Sequence, residues 1–125
     1  MLKIFRGKDK GGSNEGPALK IEFLQKEQWQ ELLDRSAHEP VFIFKHSIRC
    51  GISSVILNRF DKQMREKNQG YYFLNILANR ELSNWIADEL NIRHESPQLI
   101  VIKGAKVIAY DSHYRLLEIS KSVLN

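Results

Sequence analysis

The sequence predicts an α/β domain with three layers: a mixed five-stranded sheet carrying helices on both faces. Three features carry this expectation. Short apolar runs bounded by polar turns recur at residues 41–44, 71–75 and 99–102 and read as buried strands. The segments between them place apolar residues every three or four positions, the pattern of amphipathic helices. Near the end, Lys103, Gly104, Ala105 and Lys106 form a turn signal between two apolar runs, an antiparallel hairpin. The element order is βαβαβαββα. Parallel strands joined through helices, closed by a hairpin, give a mixed sheet.

Residues 7–17 hold four glycines, a proline and several charges without apolar periodicity. Residues 1–17 are therefore expected to be a flexible glycine-rich tail, and residues 18–125 the folded domain. Residues 18–24 alternate through Leu19, Ile21 and Phe23 as a first strand. Residues 27–37 put Trp29, Leu32, Leu33 and Ser36 on one helical stripe. His38, Glu39 and Pro40 end that helix, because the residue before a proline avoids helical geometry. Val41, Phe42, Ile43 and Phe44 form the next strand. Strand, helix and strand make a βαβ unit, for which a right-handed crossover is expected.

After a polar turn, Ile52, Val55, Ile56, Phe60 and Met64 follow Cys50 at helical spacing, so Cys50 falls at a helix start. That helix should end near Asn68–Gly70, with glycine as the usual stop. Residues 71–75 are a third strand. Asn75 or Asn79 can cap a helix over residues 80–90 that turns Leu82, Trp85, Ile86 and Leu90 inward. Residues 99–102 and 107–110 pair as the hairpin, and residues 115–124 close the chain as a helix carrying Leu116, Ile119 and Val123.

With 125 residues, 42% of them hydrophobic, the chain can build one domain around one core. One cysteine excludes an internal disulfide and fits a reducing compartment. The first residues are charged too soon for a signal peptide, and no apolar run approaches the roughly 20 residues that span a bilayer. A cytoplasmic protein with no membrane partner is expected. The net charge of +4 is scattered among acidic residues without an arginine-rich run, the pattern of a solvated basic surface. Tyr71, Tyr72 and Phe73 do not suggest nucleic-acid binding either, since neighbours on a strand alternate faces and at least one must be core.

Cys50 is the candidate catalytic residue. Where a buried strand hands over to a helix, unpaired N–H groups and the helix dipole favour a thiolate. The competing reading is an inert buried thiol. Lys45, His46 and Arg49 bring positive groups close in sequence, and Arg49 can hold a carboxylate through two parallel hydrogen bonds. For Lys45 itself, a side chain pointing into solvent is the simpler expectation. Metal binding by Cys50 with His46, His94 or His113 is conceivable on residue types, but the close spacing of a structural zinc site is missing, and no metal is assigned.

The order of elements, with Cys50 at the second strand–helix junction and Pro97 just before the fourth strand, resembles the thioredoxin fold over residues 19–124. Residues 45–54 (KHSIRCGISS) together with 93–98 (RHESPQ) resemble the YtxJ family of bacilliredoxin-like, single-cysteine redox proteins of the bacillithiol system. One departure is Gly51, where the family pattern places a proline. The resemblance implies that Ser96–Pro97 is a cis peptide facing the cysteine, with Ser96 and Pro97 binding substrate through the loop backbone. It implies that Ser53 stands where a dithiol enzyme has its resolving cysteine, so that the route is monothiol.

By that resemblance the protein removes bacillithiol from mixed disulfides on cytoplasmic proteins. It binds no cofactor, with bacillithiol as co-substrate and bacillithiolated proteins as partners. Arg49, His46 and Ser53 are the expected thiolate-stabilising groups, Arg49 also meeting the malate carboxylates of bacillithiol. The Ser53 hydroxyl either donates to the thiolate or bonds its own helix backbone. Glu95 is expected to be a surface carboxylate, and His113 part of a helix start after Ser112. Two other functions stay open. Cys50–Ser53 comes close to the Cys-Gly-Phe-Ser motif of iron–sulfur-carrying monothiol glutaredoxins, although Asp111–Tyr114 stand where those proteins have paired glycines. A non-catalytic binding module on the same fold is the other.

Overall fold

The structure is a computed structural model that describes residues 20–125. The expected tail, residues 1–17, lies outside the described residues, as do the first two positions of the expected first strand. The elements run β1 (Lys20–Glu22), α1 (Gln28–Ser36), β2 (Val41–His46), α2 (Gly51–Glu66), β3 (Tyr71–Asn75), α3 (Arg80–Leu90), β4 (Gln98–Lys103), β5 (Lys106–Ser112), a 3-10 turn (His113–Arg115) and α4 (Leu116–Leu124).

The sheet order is β1-β3-β2-β4-β5. β1, β3 and β2 are parallel, while β4 and β5 run antiparallel to their neighbours. The central strands alternate cleanly between two cores. Val41, Ile43, Tyr72, Leu74, Ile100 and Ile102 meet Trp29 and Leu32 of α1 and Leu82 and Ile86 of α3. On the other face, Phe42, Phe44, Tyr71, Phe73, Leu99 and Val101 meet Ile56, Phe60 and Met64 of α2 and Leu116 of α4. The aromatic run is thus core throughout, split between the faces.

β2 is longer than its apolar run. Lys45 pairs with Leu74 and His46 with Asn75 on β3, which carries the strand two residues past Phe44. All six residues of β2 are buried, because both faces and both edges are covered.

Two local expectations shift. The left-handed residue that ends α2 is Asn68 (φ 55°), not Gly70, and the Gln69 amide bonds back to the Met64 carbonyl. Asn75 and Asn79 shape the turn before α3 without a side-chain cap on it. Asn75 Oδ1 accepts the Leu77 amide, and Asn79 Nδ2 donates to the Asn75 carbonyl.

The β4–β5 turn has positive φ at both Gly104 and Ala105 (63° each). Alanine there is held by Ser36 at the end of α1: its carbonyl accepts the Gly104 amide at 2.7 Å and its hydroxyl the Ala105 amide at 2.9 Å. No helix among the described residues is long and apolar enough to cross a membrane.

Candidate active site

Strand β2 delivers its C-terminal end to a short turn that closes on Cys50. The Cys50 amide donates to the Ser47 carbonyl at 3.1 Å, and the Cys50 carbonyl then accepts the amides of Ser53 and Ser54. Cys50 is thereby the N-cap of α2, with extended backbone (φ −102°, ψ 114°) and a partly exposed side chain. Cys50 sits at the positive end of a 16-residue helix. Gly51 opens the helix with nothing within 4 Å of where its Cβ would be, so no contact requires glycine in place of the expected proline.

Sheet register brings the two motif segments together. Lys45 pairs with Gln98, so the residue before each strand position, Pro97, lies beside the His46–Ser47 end of β2. The Ser96–Pro97 peptide is cis. The Pro97 carbonyl accepts the His113 amide at 3.1 Å, tying this loop to the 3-10 turn after β5. Glu95 is exposed and accepts a hydrogen bond from the Ser112 hydroxyl, a surface carboxylate as expected. His113 lies in the 3-10 turn at the start of the last helix, its Nδ1 3.3 Å from Ser112 Oγ.

The groups expected to stabilise the thiolate are disposed differently from one another. Arg49 is exposed beside Cys50 and makes no ion pair among the described residues. His46 is turned into the core, 5% exposed, with its ring against Phe44 and Phe73. Burial, then the charge of Lys20, hold it below the ordinary histidine range, which favours the neutral imidazole over the cation. Its Nδ1 lies 2.8 Å from the hydroxyl of Ser53, which also accepts the Ser47 amide at 3.2 Å. The fully buried Ser53 therefore ties the turn to the helix, which neither sequence expectation described.

Lys45 is a plain correction. Its side chain does not point into solvent: it is fully buried. Strand alternation turns it onto the α1–α3 face, where Nζ lies 3.4 Å from the Ser83 carbonyl and 3.4 Å from His94 Nδ1. Burial pushes its ammonium down to about 8. The sequence held a signal for this, since a lysine directly continuing VFIF remains in the ladder if the strand does.

Ile52 and Val55 also depart from the inward stripe. They are 46% and 44% exposed, and with Ile48 (60%) and Tyr114 (50%) they give this end of the molecule an apolar surface. Arg59 stacks over the Tyr114 ring at 5.8 Å. No group of three or more His, Cys, Asp or Glu side chains among the described residues is placed to hold a metal ion.

Comparisons with known proteins agree with this fold. A family model described as monothiol bacilliredoxin BrxC matches residues 21–121. Among solved structures, a protein described as a candidate oxidoreductase with a thioredoxin fold superposes with TM-score 0.76 at 26% identity, covering 85% of this chain and 93% of its own. A thioredoxin from Malassezia sympodialis matches with TM-score 0.68 and 16% identity over 89% of this chain and 95% of its own. A Schistosoma mansoni thioredoxin gives 0.66 and 18% over 90% and 96%. The last two are similar in fold alone.

Proposed function

The chain belongs to the monothiol bacilliredoxin family, and on that premise we propose that it is a monothiol thiol–disulfide oxidoreductase that removes bacillithiol from mixed disulfides on cytoplasmic proteins. The observation that supports this most is the placement of the only cysteine: Cys50 is the N-cap of α2, just past the central strand whose last residues run next to the Ser96–Pro97 loop.

In the proposed reaction the Cys50 thiolate attacks the bacillithiol sulfur of a protein–bacillithiol disulfide. The old S–S bond breaks, the substrate protein leaves as a thiolate that takes a proton from water, and Cys50 carries bacillithiol as a new mixed disulfide. With no second cysteine in the chain, an external thiol must complete the cycle. It attacks the bacillithiol sulfur, regenerates the Cys50 thiolate and leaves as the oxidised disulfide. Bacillithiol is thus a co-substrate, and no bound cofactor takes part.

Arg49, exposed beside the cysteine, is assigned to the malate carboxylates, for which a planar guanidinium offers paired donors. The backbone of Ser96 and Pro97 is assigned to the bound thiol. His46 and Ser53 support the thiolate only indirectly, by holding the turn that carries it.

Intact-mass analysis after incubation with oxidised bacillithiol tests the reading: one adduct forms, and Cys50→Ser forms none. Absence of an adduct on the wild type sinks it. Stable visible absorbance on Cys50 after anaerobic reconstitution with iron and sulfide would instead favour cluster carriage.

A further inference from the structure

Beneath the loop that leads to Ser96–Pro97 lies a cluster that the exchange reaction leaves unused. Lys45 from β2, Ser83 from α3 and His94 from the loop converge, with the first two buried and the histidine exposed. Lys45 Nζ and Ser83 Oγ both approach the same ring nitrogen of His94, Nδ1, at 3.4 Å and 3.3 Å.

An ammonium has only N–H groups to give. Beside it, Nδ1 is favoured as an acceptor, with the ring proton on Nε2. Nδ1 faces two buried groups, while the histidine as a residue is exposed. A second proton is disfavoured first by partial burial and then by the charges of Lys45 on β2 and Arg80 on α3, with Glu95 of the same loop acting the other way. The loop itself is clamped at two points: the Gln98 side-chain amide donates to the Arg93 carbonyl at 3.0 Å, and the Pro97 carbonyl accepts the His113 amide.

We propose that His94 is a specificity-determining residue for the small-thiol half of the mixed disulfide: Lys45 and Ser83 fix its tautomer, and its outward Nε2–H donates to a carboxylate or carbonyl oxygen of the ligand. This rests on the thiol-exchange reading of Cys50 and adds a second contact to that of Arg49. It also gives the buried lysine a role. A charge that is fully buried without a carboxylate partner among the described residues is a poor way to fill a core, where a methionine occupies similar volume without desolvation. As a tautomer lock its donor-only chemistry is what matters.

The test has two arms. In the first, long-range ¹H–¹⁵N NMR of the wild-type protein at pH 7 reads the His94 ring. A protonated Nε2 with an acceptor-type Nδ1 is expected, and Lys45→Met should let the ring exchange tautomers or take a second proton. A wild-type ring that is Nδ1-protonated or charged overturns the proposal.

In the second arm, KM and kcat are compared for oxidised bacillithiol and for 2-hydroxyethyl disulfide, which has no carboxylate. His94→Ala should raise KM for the bacillithiol disulfide about tenfold, the loss of one hydrogen bond to a charged group, and leave hydroxyethyl disulfide unchanged. His94→Gln, which restores an N–H donor, should recover most of the loss. Equal loss on both disulfides, or none on either, overturns the inference while the exchange reading stands. A wild type that reduces hydroxyethyl disulfide but ignores oxidised bacillithiol overturns the bacillithiol reading and this inference with it, whatever the tautomer.

Discussion

His46 and Ser53 face one another where β2 ends and α2 begins, Nδ1 and Oγ 2.8 Å apart and both side chains buried. Ser53 occupies the position three residues after Cys50 that a second cysteine would need for a dithiol mechanism. Its hydroxyl is engaged by the imidazole and by the Ser47 amide. The residue that makes the site monothiol is thus also the one that joins the cysteine turn to the helix.

Removing that hydroxyl leaves a buried ring nitrogen and a buried amide unpaired. Ser53→Ala is expected to cost about 1–3 kcal/mol in urea denaturation, with the alkylation rate of Cys50 at pH 7 changed less than about threefold, on the order of 0.6 kcal/mol. A large fall in alkylation without loss of stability would place the hydroxyl on the thiolate instead.

Lys45 should behave in the opposite way. Its folded value is about 8 against 10.5 for the free group, so between those pH values the unfolded chain holds more protons and stability rises with pH. The burial cost is fully present below pH 8 and is on the order of 3 kcal/mol. Lys45→Met is expected to be more stable than wild type at pH 7, with the difference narrowing toward pH 10. Equal or lower stability at pH 7 would mean the ammonium is compensated in the fold.

His46 sets the acid side. Its folded value lies below the ordinary 6.5 through burial and Lys20, so in the window just under 6.5 the unfolded state takes up protons first. Stability must therefore fall as pH drops below 6.5. His46→Asn, which can still partner Ser53, should flatten that fall in denaturation series from pH 7.5 to 5. His94 shares the same direction, so a residual slope is expected in the variant, and an unchanged slope would remove His46 from the account.

The exposed apolar residues around the thiol predict a difference between large and small substrates. Ile48→Ser with Val55→Ser removes surface that is 60% and 44% exposed and should alter stability by no more than about 0.5 kcal/mol per site. Exchange with a bacillithiolated protein should slow several-fold, and exchange with oxidised bacillithiol should not. Equal rates on both would show that the partner protein does not rest on this surface.

Much of the architecture was legible because pattern and propensity agree: residues 71–75 and 80–90 form the expected elements with the expected bounds. Cys50 at a helix start and Pro97 before the fourth strand were also readable, since strand–turn–helix order alone places them. What escaped depends on three-dimensional neighbours. Lys45 is drawn into the sheet by pairing with Leu74 and Gln98, which overrides its preference for water. Ile52 and Val55 sit at helical spacing with Ile56, but no other element covers them and they stay about half exposed. The His46–Ser53 and Lys45–His94 contacts join residues 7 and 49 positions apart, and no periodicity encodes either.

In the proposed reaction Cys50 takes bacillithiol from a protein. Its most direct test mixes the reduced chain with one equivalent of a test protein carrying a single bacillithiol and records both intact masses over time. The account predicts that the test protein loses one bacillithiol as this chain gains one, mapped by peptide analysis to Cys50, with no transfer to Cys50→Ser. A test protein that keeps its adduct while Cys50 stays unmodified would contradict it.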